Sequence, residues 1–102
     1  MKKFLLCNQD ETELFETSEG HFTCAILELY DVFVVKVSAV DGEDIVTGTA
    51  GIYRDVQEAA DAVAELKDFA NQTQRTNATF TFPQSSEAVT AIEFVTKIDM
   101  QL

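Results

Sequence analysis

Histidine occurs once in this sequence, proline once and tryptophan not at all. Basic residues are scarce as well. Seven Lys and Arg stand against eighteen Asp and Glu, for a formal net charge of −11. Each scarcity excludes something. With only His21 to draw on, a Ser-His-Asp or Cys-His centre would have to be built around that residue. Cys24 follows three residues later, a spacing that sends two strand side chains to opposite faces. They could not then bond as nucleophile and base. The shortage of cations argues against direct nucleic-acid binding, which requires a basic face. It argues equally against the anionic surface of a membrane. No stretch approaches the roughly 18 apolar residues of a membrane span.

Two cysteines, Cys7 and Cys24, are too few for a disulfide framework. In a reducing compartment they read as small buried hydrophobes, not bridged to each other. The start, Met1-Lys2-Lys3 and then Phe4-Leu5-Leu6-Cys7, imitates a secretory leader. Its apolar run is only four residues long, where about seven to fifteen are needed. The sequence is therefore expected to be cytoplasmic. On that reading the Asn71-Gln72-Thr73 and Asn77-Ala78-Thr79 triplets carry no glycan.

What is present suits one globular unit. The length of 102 residues fits a single domain over 1–102, and 46% hydrophobic residues suffice to bury a core. Eight Phe and no Trp predict a core of Phe, Val, Ile and Leu.

The first half reads as strands. Phe4 to Cys7 is short and apolar, and Leu14-Phe15 suggests an edge-like strand. A β-rich stretch from Phe22 to Val40 breaks only at Tyr30-Asp31, which predicts a hairpin. Its register would pair Ile26 with Val35 and Cys24 with Val37 on one face. The opposite face would carry Leu27, Leu29, Val32 and Val34. With both faces apolar near that turn, the second is a candidate interface. Asp41-Gly42-Glu43-Asp44 then reads as a second hairpin turn before a strand over Ile45 to Tyr53. Gly48 and Gly51 within that strand predict a bulge, or a backbone closely approached by a helix.

The clearest element is a helix from about Asp55 to Gln72. Asp55 suits the N-cap, and Glu58 has capping-box spacing. Val56, Ala59, Ala60, Val63, Leu66 and Ala70 fall on one face at helical period, with Val56, Val63 and Leu66 expected to pack. Glu58, Asp61, Glu65 and Asp68 fall on the other. After a short strand over Asn77 to Phe82, the pattern over 86–99 fits either a helix or a short turn followed by a strand. The fold class expected is α+β: an antiparallel sheet of about five to seven strands with one long amphipathic helix packed on it.

Candidate chemistry is thin. Zinc at Cys7, His21 and Cys24 would lack a fourth ligand and matches no known spacing. Asp41, Glu43 and Asp44 surround a glycine, but without the frame of a calcium loop. Gly48-Thr49-Ala50-Gly51 precedes a helix, yet Asp55 and Glu58 at its N-terminus would repel a phosphate. No catalytic residue, metal or cofactor is expected. There remains the acidic stripe Glu58, Asp61, Glu65 and Asp68, whose neighbours are about 5–6 Å apart. Phosphates along a DNA strand are spaced on a similar scale. Such a stripe can occupy a basic groove built for nucleic acid, or it can be only the solvated side of the helix.

The leading expectation is a non-enzymatic acidic protein that docks on a basic partner, for instance one whose nucleic-acid binding it regulates. The alternative is a homodimer working through the apolar face at Leu27, Leu29, Val32 and Val34. A third reading, an enzyme with a carboxylate pair, names no residues.

Overall fold

The computed structural model describes residues 3–17, 21–41, 43–72 and 77–87. The element order is β1 (Lys3–Cys7), β2 (Glu13–Thr17), β3 (Phe22–Leu29), β4 (Val32–Asp41), β5 (Asp44–Tyr53), α1 (Val56–Gln72) and β6 (Asn77–Thr81). This is the expected α+β class, with six strands and one long helix among the described residues. The strands divide between two sheets, ordered β2-β1-β6 and β3-β4-β5. The second sheet is wholly antiparallel, while in the first β6 runs parallel to β1. Of the stretch 86–99, for which a helix or a strand is expected, all but residues 86 and 87 lie outside the described residues.

Local chemistry accounts for the turns. Asn8 closes the β1–β2 connection by accepting from the amides of Asp10 and Thr12 through its side-chain oxygen. Tyr30 and Asp31 form the two-residue turn between β3 and β4, and the pairing of Ile26 with Val35 and Cys24 with Val37 is the one the sequence predicts. Tyr30 takes φ 58°, an unfavourable conformation for a bulky residue. In β5 a bulge falls opposite Val35 and Lys36. The close approach at Gly51 comes from Tyr53, not from the helix. A Cβ on Gly51 would lie 2.7 Å from the Tyr53 ring, so glycine is required for the ring to lie flat there.

One core joins all three layers. Leu6, Phe15 and Phe82 come from the first sheet and its continuation. Val35, Val37, Ala39, Ala50 and Tyr53 come from the second, and Ala59, Ala62 and Leu66 from α1. An aromatic run, Phe4–Phe69–Phe80–Phe82, has ring centroids 6.3, 5.3 and 5.0 Å apart and ties the helix to the first sheet. Isoleucine, expected in this core, is absent from it among the described residues. Ile26 and Ile45 are exposed and Ile52 is half-buried.

The helix starts where expected, since Asp55 Oδ1 accepts from the Gln57 amide at 2.8 Å. Its packed face is turned from the predicted one. Val56, expected inside, is 51% exposed, and Val63 is only half-buried. Ala62, which the periodicity left out, has no exposure at all. The reason is that the helix must serve two sheets. Phe69 has to reach Phe4 and Phe80, and that turns the axis toward Ala62 and away from Val56. Leu66→Ala should therefore destabilise the protein by about 2–5 kcal/mol, whereas Val56→Ala should cost under about 1 kcal/mol. Urea unfolding followed by circular dichroism measures both, and equal losses would contradict this orientation.

Candidate functional site

The acidic stripe divides into two parts. Asp61, Glu65 and Asp68 are exposed on the outer side of α1. Among the described residues none of the three carries an ion pair; Asp61 only accepts from the Gln57 side-chain amide at 3.0 Å. Glu58 has another role. Instead of turning back to cap its own helix, its carboxylate accepts from the Ser86 amide at 3.0 Å and from the Ser85 hydroxyl at 3.3 Å. Hydrogen bonding with the Ser86 side chain first, then with the Ser86 amide and with Ser85, holds its carboxyl below the usual carboxylate range. Glu58 is thus an anchor for the chain that follows β6.

That anchored chain makes a groove that no sequence pattern signals. Tyr53 donates its hydroxyl to the Pro83 carbonyl at 2.7 Å, across 30 residues of sequence. Burial first, and then the negative charges of Glu65 and Glu58, push the Tyr53 hydroxyl up to about 12. Between this bond and the helix lies a shallow cavity of about 150 Å³, walled by Pro83 and Gln84 on one side and by Glu58, Asp61 and Glu65 on the other. Arg54 braces the same region, 3.3 Å from Asp31 and 3.9 Å from Glu87. No local pattern could have announced these partners, because the contacts join residues about 30 apart.

The apolar candidate is distributed differently. Leu27 is exposed and Leu29 half-buried, but Val32 and Val34 have no accessible surface. Further along the same face the ladder turns polar. Lys36 donates to the Thr49 hydroxyl at 2.7 Å, and Ser38 pairs with Thr47 at 3.0 Å. The four apolar residues therefore do not form one open patch.

The remaining candidates stay apart. His21 is exposed just before β3, at the rim of an open hollow of about 380 Å³ shared with Phe22, Val40 and Ile45. Among the described residues no three His, Cys, Asp or Glu side chains are placed to hold a metal. Cys7 and Cys24 are free. Burial raises both thiols, aided at Cys7 by Glu13 and Glu11 and opposed at Cys24 by Lys67. Both thiols are therefore protonated at neutral pH and poor nucleophiles. No helix among the described residues is long and apolar enough to cross a membrane.

No known family model matches this chain, and no curated protein or solved structure proved similar to it. The geometry is the whole basis for a functional reading.

The two anchors make opposite pH predictions. Glu58 has a depressed folded value, so its contribution is present above its ordinary value of 4.5 and is lost as pH falls through the lower folded one. Glu58→Gln should lower stability at neutral pH and match the parent in strong acid. Tyr53 is raised from 10.0 to about 12, so its contribution is complete below pH 10 and is lost as pH rises through the folded value. Tyr53→Phe should cost about 1 kcal/mol at pH 7 for the lost hydrogen bond and should flatten the decline above pH 10. Denaturant titrations across pH test both, and parallel curves for parent and variants would refute the assignment.

Proposed function

We propose that this chain is a non-enzymatic, cytoplasmic binding protein that presents Asp61, Glu65 and Asp68 to a basic protein partner. The observation that carries this reading is a row of exposed carboxylates without neutralising cations. Asp61 and Glu65 are four residues apart and Glu65 and Asp68 three, and no Lys or Arg offsets these acids among the described ion pairs. Like charges at that spacing cost a helix about 0.2–0.5 kcal/mol per pair. A face shaped only for stability would interleave acids with Lys or Arg. The uncompensated row is supported from below by a rigid base, since Leu66 and Ala62 between its members are fully buried.

Opposite a basic surface, each carboxylate can accept charge-assisted bonds from Arg or Lys. The field of a chain with net charge −11 speeds the encounter. A groove that normally takes a nucleic-acid backbone is the partner surface that best matches this spacing, so regulation of a nucleic-acid-binding protein is the activity proposed. The free thiols fit a reducing compartment.

The test is capture of partners from the source cell by the parent and by the combined Asp61→Lys, Glu65→Lys, Asp68→Lys variant. The variant should stay folded, because all three residues are solvated, and should lose the captured partner. Binding by the parent should weaken steeply as salt rises, mostly through a slower association rate. A partner retained at high salt and by the triple variant would reduce the stripe to a solvated helix face.

A further inference from the structure

We propose that the outer edge of β3 is a self-association edge, through which two copies of this chain join antiparallel into one continuous six-stranded sheet. β3 is the end strand of the β3-β4-β5 sheet, and nothing among the described residues pairs its outer side. Such a strand presents alternate N–H and C=O groups as a template for another strand.

The other strand edges carry protection that β3 lacks. β2 is five residues long, contains Glu13 and Glu16, and pairs with β1 through a register shift. β6 is also only five residues. β5 is bulged and begins with Asp44. β3 runs eight residues in unbroken register with β4, and Glu28 is its one charge. It contains no Pro or Lys to block an incoming strand. Its two apolar side chains nearest the middle, Ile26 and Leu27, are 37% and 44% exposed and lie on opposite faces. An added strand would cover both.

A second copy is the occupant that the charge pattern selects. At a net charge of −11 two chains repel one another, and they are opposed least where charge is sparse. β3 is such a place. A two-fold axis normal to the sheet near Ala25 and Ile26 sets the strand against itself, keeps each side chain on its own face and closes the assembly at two. It also keeps Glu28 away from its own copy. A single strand pair lies at the small end of interfaces, so the dimer forms reversibly with rising concentration. Because the rest of the surface is repulsive, added salt strengthens it. That sign is opposite to the acidic docking proposed above, on which this inference does not depend.

Sedimentation equilibrium of the full chain at low and moderate salt tests the proposal. The mass should rise with concentration from 11.3 kDa toward twice that value, and more readily with salt. Ile26→Glu and Leu27→Glu, one on each face and both at exposed positions, should stay monomeric with an unchanged circular dichroism spectrum. Hydrogen exchange should show amides of β3 becoming protected as concentration rises. A monomer at every concentration, a dimer that both variants retain, or β3 amides equally protected in the dilute monomer would each overturn it.

Discussion

One helix has to close two sheets, and the rest of the structure follows from that demand. Neither three-stranded sheet has a core of its own. Leu6, Phe15 and Phe82 from one join Val35, Val37 and Tyr53 from the other in a single cluster with Ala59, Ala62 and Leu66, and β2 also packs directly on β4 and β5. Alanine at two of the three helix contacts allows the close approach, since a larger side chain there would push the layers apart. The same demand rotates the helix. Phe69 must reach the rings of Phe4 and Phe80, and Val56 is left in water as a result.

That rotation also determines what the acidic face can do. It turns Asp68 outward and brings Glu58, Asp61 and Glu65 beside the chain that follows β6. Glu58 is then near enough to bind Ser85 and Ser86, and Tyr53 reaches Pro83. Four carboxylates that look equivalent in sequence become one anchor and three free charges. Charge repulsion is tolerable there because the free three are exposed to water, whose dielectric constant weakens it. The sparse charge of β3, by contrast, leaves an edge where backbone pairing meets little electrostatic opposition.

Much of the fold was legible. Alternation in β3 and β4 gave the correct cross-strand partners, because a shift of one residue would have moved Val35 and Val37 out of the core. Asp55 marked the helix start, since a side-chain oxygen at that position satisfies an amide that the helix itself cannot. The glycines of β5 announced a bulge, but the approach expected from the helix comes from the Tyr53 ring instead. Which atoms approach Gly51 was not readable, as the Tyr53 ring lies there because of its bond to Pro83.

The sequence by itself determined the class of fold, the strand register near Tyr30 and the sign of the surface charge. These rest on short-range periodicity and composition, which are properties of neighbouring residues. Only the tertiary structure decided that the strands form two sheets and that β6 lies parallel to β1. It alone showed that Val32 and Val34 are buried while Leu27 is exposed, and that Glu58 is engaged while Asp61, Glu65 and Asp68 are not. Such facts depend on which distant segments meet, and a helix shared between two sheets settles that through the packing of Phe69, Ala62 and Leu66, none of which carries a local signal of its partner.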